Sequence, residues 1–139
     1  MENNRPLGWT TLEEAKLLVE AALDSNTADM YYEPNDDGGY CIYPHSQCNS
    51  YKNYDEYKEQ WPDIEIIPCW SAGALIGLLP GEIRKDKTTH PLIILKENEG
   101  YCVEYNANVI PLIGFCMPSL TDALATMYIW LTQNGFIKK

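Results

Sequence analysis

Long apolar runs are missing from this sequence. Nothing in it approaches the roughly 18–20 consecutive apolar residues of a membrane-spanning helix. Basic residues are scarce: 10 Lys and Arg face 20 Asp and Glu, a formal net charge of -10. Such a surface repels phosphate backbones and anionic lipid heads, so neither nucleic acid nor membrane is an expected partner. The start, MENNRPLGW, lacks the basic-then-apolar pattern of a secretory signal, which sets a cytoplasmic expectation. There is no phosphate-cradling glycine loop, no GxSxG and no HExxH, so no cofactor is implied. Only two histidines are present, which leaves little for histidine-based acid–base chemistry. The five cysteines, Cys41, Cys48, Cys69, Cys102 and Cys116, form no CxxC pair. Their odd number and a reducing compartment make buried thiols the expectation.

What is present is enough for one folded domain. The chain has 139 residues, 45% of them hydrophobic and 22% charged, which is a globular balance. Thr11 to Leu23 reads as an amphipathic helix, because Leu12, Ala15, Val19, Ala22 and Leu23 share a face. Thr10 or Thr11 can cap it, each with a glutamate three residues on. Asp29–Glu33 and Gly39–Tyr43 read as strands joined by the turn PNDDGG. Tyr51, Tyr54, Tyr57 and Trp61 recur at helical spacing. A further helix runs from Trp70 to Leu79 and closes at Pro80-Gly81. Arg84 to Thr89 reads as a loop, Leu92–Lys96 and Tyr101–Tyr105 as a hairpin, and Val109–Phe115 as an extended piece. The last helix runs from Leu120 to Asn134, capped by Ser119 and ended by Gly135.

A weak internal repeat links residues 9–43 with residues 70–105. At an offset of 61 (70 − 9), Trp9 falls on Trp70, Leu17-Leu18 on Leu78-Leu79, and Thr27 on Thr88. Gly39-Tyr40-Cys41 falls on Gly100-Tyr101-Cys102. Each unit then reads helix, strand, turn, strand. The expectation is an α+β fold in a single domain. A duplicated αββ unit would form one antiparallel sheet of four or five strands, covered by about three helices.

Four groups of residues carry candidate chemistry. Cys69 opens a helix and His90 opens the following strand, an order that suits a thiolate nucleophile and its base. This order resembles the NlpC/P60 cysteine peptidases and, more distantly, papain-like folds. The likeness covers Cys69 to about Tyr105. It lacks a strand before the histidine and has no evident orienting residue beyond Asn106 or Asn108. The plainer reading is a buried thiol and a surface histidine. Cys41, His45 and Cys48, with Cys69 or Cys102, offer soft ligands, but the spacing fits no standard zinc pattern and no metal is expected. PNDDGG lacks the glutamate of a calcium loop and reads as a hairpin turn. Finally, ten tyrosines and four tryptophans are many for this length. Tyr40, Tyr43, Tyr51, Tyr54, Tyr57 and Trp61 make the segment Tyr40–Trp61 a candidate recognition surface, since aromatic rings give contact area at low entropic cost.

The runs GWTTLEEAKLLVEAALDSNTADMYY, PCWSAGALIGLLP and IWLTQNGFIKK resemble a group of small acidic proteins of unassigned activity. These occur in phage-like or mobile segments of gut anaerobic bacteria. The resemblance implies a setting and carries over no site residue. The functional expectation is a non-enzymatic cytoplasmic binding protein of mobile-element origin, meeting a protein or a small ligand. One alternative is a cysteine hydrolase using Cys69 and His90. Another is an acidic inhibitor or nucleic-acid mimic. A two-fold homodimer is the default assembly.

Overall fold

The structure is a computed structural model that describes residues 8–44, 54–107 and 111–137. Its elements follow in the order α1 (Leu12–Glu20), a 3-10 turn (Ser25–Thr27), β1 (Met30–Pro34), β2 (Tyr40–Pro44), α2 (Tyr54–Gln60) and β3 (Ile67–Cys69). Then come α3 (Ala72–Leu78), β4 (Glu82–Lys85), β5 (Thr88–Glu97), β6 (Gly100–Asn106), β7 (Pro111–Met117) and α4 (Leu120–Gln133). This is an α+β fold in one domain, as the sequence predicts.

The strands form two antiparallel sheets rather than one. The smaller has the order β2-β1-β3 and the larger β4-β5-β6-β7. The early and late hairpins therefore do not share a sheet, which corrects the single-sheet expectation. Element order still matches at the offset, since β1 and β2 align with parts of β5 and β6. The reason lies in the pairings. β1 takes β3 as its second neighbour, while β5 takes β4. The segment predicted as a loop, Arg84 to Thr89, holds the end of β4, the turn and the start of β5. β4 turns into β5 through Asp86 and Lys87, both with positive φ (52° and 69°), the backbone of a two-residue primed hairpin turn. Such turns usually carry glycine or asparagine, so Asp-Lys gave no signal.

The two segments matched by the offset do touch where their helices begin. Trp9 bridges Ser71, Thr10 N donates to the Trp70 carbonyl (2.9 Å), and Ala72 N donates to the Gly8 carbonyl (3.0 Å). The two tryptophans have different surroundings, however. Trp70 is fully buried and its indole donates to Thr27 Oγ1 at 2.9 Å, whereas Trp9 is half-buried.

Helix ends follow local chemistry. Thr11 and Glu14 form a reciprocal capping box on α1. Ser71 caps α3 and is itself anchored by Asp29, which accepts from Ser71 N and Ser71 Oγ. α1 ends sooner than its apolar pattern suggests. Ala22 turns left-handed (φ 67°), with Ala22 N bonded to Val19 O and Leu23 N to Leu18 O. α4 ends in the same way, but with Gly135 in the left-handed position.

The main core lies where α4 meets the larger sheet, α1 and α3. Its fully buried members include Leu18, Trp70, Leu75, Val103, Tyr105, Leu124, Met127 and Leu131. A second, smaller cluster holds Tyr31, Tyr57 and Ile66, with Tyr54 and Ile64 against it. Among the described residues no helix is long and apolar enough to cross a membrane.

Candidate functional site

The tyrosine-rich segment divides between interior and surface. Tyr57 is buried, with its ring centroid 5.6 Å from that of Tyr31. It is a core residue of the second cluster, which corrects its assignment to a recognition surface. The cause is the short α2, which has only one apolar side and turns it onto β1. Tyr54 is half-buried and its hydroxyl reaches the Ile66 carbonyl at 3.5 Å. Tyr40 donates to Glu65 Oε1 at 2.8 Å. That bond to a carboxylate, with some burial, raises the Tyr40 pKa. Tyr43 and Trp61 are exposed, at 38% and 46%. Tyr51, His45 and Cys48 lie outside the described residues.

A concave site adjoins this segment. A cleft of about 420 Å³ opens between α1 and the stretch that leads into β3. Ile66, Ile67 and Pro68 form its buried apolar floor, and Tyr54 and Val19 line it as well. Lys16, Glu20 and Glu65 bring charge to it. Local contacts hold the cleft in shape. Asn26 receives Asp55 N and donates to the Asp55 carboxylate, fixing the start of α2. Lys58 donates to the Ile64 carbonyl at 2.8 Å, closing the loop behind α2. Sequence reasoning found Tyr54 but not its cleft partners. Of those from α1, Lys16 and Glu20 are polar, whereas Val19, read from the sequence as part of the apolar face, is 42% exposed, which corrects that reading. Ile64 to Ile67 reads from the sequence only as a brief extended piece, not as a wall of a site.

Cys69 and His90 do not form a nucleophile and base. Cys69 is the last residue of β3 in the smaller sheet and is fully buried. Its sulfur accepts from Thr10 Oγ1 at 3.4 Å and lies 3.5 Å from the Thr10 carbonyl. Burial pushes the thiol up to about 12, so it is neutral near pH 7. His90 lies in the larger sheet, opposite Ile83 on β4. Its buried Nδ1 has no hydrogen-bond partner among the described residues. The helix-dipole expectation for Cys69 fails because β3 places the residue before the Ser71 cap, inside the core.

The cysteines also depart from the thiol expectation. Cys102 and Cys116 form a disulfide across β6 and β7, where they stand directly opposite. Cys41 is a half-buried thiol that accepts from Asn35 Nδ2 at 3.3 Å. The Asn35–Gly39 turn closes on itself, with Gly39 N donating to both Asn35 Oδ1 and Asp37 Oδ1. This is the hairpin turn read from PNDDGG.

The chain matches no protein-family model, no curated protein and no solved structure in these comparisons.

Proposed function

We propose that this chain is a non-enzymatic binding protein, acting in the cytoplasm and of mobile-element origin, whose ligand-facing surface is the cleft beside the tyrosine segment. The observation that carries the reading is the cleft itself. It joins a buried apolar floor of Ile66, Ile67 and Pro68 to an aromatic ring and to charges of both signs. Binding sites combine apolar area with a few placed polar groups in this way. The chemistry suits an extended peptide or small ligand with an apolar group for the floor. A cation on the ligand would meet Glu20 or Glu65, and an anion would meet Lys16. Tyr43, on β2, and Trp61, just after α2, are exposed aromatics outside the cleft lining. The buried, neutral thiol of Cys69 gives no support to hydrolysis.

Site-specific photo-crosslinking tests this reading. A photoreactive side chain at Val19 should capture a partner from host lysate that the same group at Arg84, on β4, does not. A Lys16→Glu or Tyr54→Ala change should weaken that capture. Equal capture from both positions, or capture indifferent to Lys16 and Tyr54, would refute the cleft as the binding surface. A partner held through Asp and Glu elsewhere would favour the acidic-inhibitor alternative.

A further inference from the structure

The Cys102–Cys116 disulfide lies away from the cleft, on the larger sheet. Side chains alternate across a strand. Val103 and Tyr105 face the core, so Cys102 and its partner on β7 face the other way. Leu95 stands opposite Cys102, and Glu97 follows two residues later on the same face of β5. Cys102 is nearly covered at 3% exposure, whereas Cys116 and Glu97 are open to solvent.

Glu97 Oε1 lies 3.3 Å from Cys102 Sγ. In the disulfide that sulfur has no proton to donate. Once reduced, the same geometry becomes an S–H···O hydrogen bond. The two sulfurs and a Glu97 carboxylate oxygen all lie within 4.8 Å of one another. A cavity of about 200 Å³ opens beside them, lined by Glu97, Glu99, Tyr101, Cys116 and Met117 among others. Gly100 permits this closeness, because a Cβ there would sit 2.3 Å from the Met117 carbonyl oxygen.

We propose that Cys102, Cys116 and Glu97 form a redox-gated site for one thiophilic divalent cation of the zinc class, closed by the disulfide and opened by its reduction. Two thiolates with one carboxylate suit zinc and disfavour calcium or magnesium. At Zn–S of about 2.3 Å, tetrahedral geometry needs the sulfurs about 3.8 Å apart. Facing side chains on adjacent strands reach that separation by rotation about Cα–Cβ once the S–S bond is broken. The cavity admits water to the fourth position. The chemistry balances in two steps. A phosphine and one water reduce the disulfide, giving two thiols and a phosphine oxide. The two thiols then bind the cation as thiolates and release two protons. A disulfide that can be reduced also fits a reducing compartment, where persistent ones are rare.

The test uses the full chain. The protein is reduced with a phosphine without oxygen, freed of reductant, and titrated with Zn²⁺ against a chromophoric chelator. Co²⁺ serves as an optical probe of thiolate coordination. The expected result is one Zn²⁺ per reduced chain, two protons released, and no uptake by the oxidised protein. The double variant Cys102→Ser/Cys116→Ser should lose the site. Glu97→Gln, which keeps both sulfurs, should weaken affinity at least tenfold. The proposal is overturned if the reduced protein takes up no zinc, or if the oxidised protein takes up as much. Binding by either variant that equals wild type overturns it too, as does unfolding on reduction seen by circular dichroism.

Discussion

Glu14 offers a sharp test of how burial and charge act on this fold. Its carboxylate completes the capping box of α1, accepting from Thr11 N at 2.9 Å. It is also half-buried and faces Asp122 in the first turn of α4. Burial, then the hydrogen bond and charge of Asp122, push its pKa from 4.5 up to about 7. The folded state therefore holds this proton more tightly than the unfolded state does. The resulting stability is fully present below 4.5 and is lost as pH rises through about 7. One pKa unit corresponds to about 1.4 kcal/mol, so full shielding would give about 3.4 kcal/mol. Water reaches part of this side chain and screens it, which brings the expected effect to about 1–2 kcal/mol. Glu14→Gln keeps the capping acceptor and removes the titration. In urea unfolding, the variant should match wild type near pH 4.5. It should be about 1–2 kcal/mol more stable at pH 8. Comparing the two proteins cancels the other carboxylates. A stability difference that is the same at both pH values, or a variant less stable at pH 8, would refute the coupling.

Other expectations follow from particular residues. Ala22→Gly relieves a left-handed alanine and should stabilise the protein by about 1 kcal/mol, whereas Gly135→Ala should cost about 1 kcal/mol at the matching helix end. Thermal or urea unfolding checks both, and a destabilised Ala22→Gly would contradict the backbone geometry. Trp70→Ala should cost about 3–5 kcal/mol, because it empties a buried site and strands Thr27. Trp9→Ala should cost clearly less in the same assay, and equal costs would mean that the two tryptophans play one role. Native Cys69 should resist alkylation near neutral pH until the protein unfolds, which mass spectrometry of labelled peptides can follow; rapid native labelling would revive the nucleophile reading. Reduction of Cys102–Cys116, whose partners are 14 residues apart, should lower stability by about 3 kcal/mol, as read from unfolding curves.

The amino-acid sequence by itself determined what is local. Thr11 with Glu14, and Ser119, mark two helix starts, because a cap needs only its own next three residues, whereas the α3 cap, Ser71, falls inside the helix that the sequence reading starts at Trp70. PNDDGG made a hairpin because its glycines and aspartates tolerate the turn backbone. Short apolar and aromatic runs on either side of turn residues marked β1, β2 and parts of β5 and β6 as strands. Tyr54 was visible as an aromatic at helical spacing, although not as the wall of a cleft. The tertiary structure decided everything that depends on which strands meet. Pairing of β1 with β3 and of β5 with β4 split one expected sheet into two. The register of β6 on β7 put Cys102 opposite Cys116, a match that no spacing rule announces. Placement of β3 beneath α1 buried Cys69 and turned a candidate nucleophile into core. The physical reason is common to all three: caps and turns are satisfied by near neighbours, whereas strand partners and burial are set by distant segments competing for the same surface.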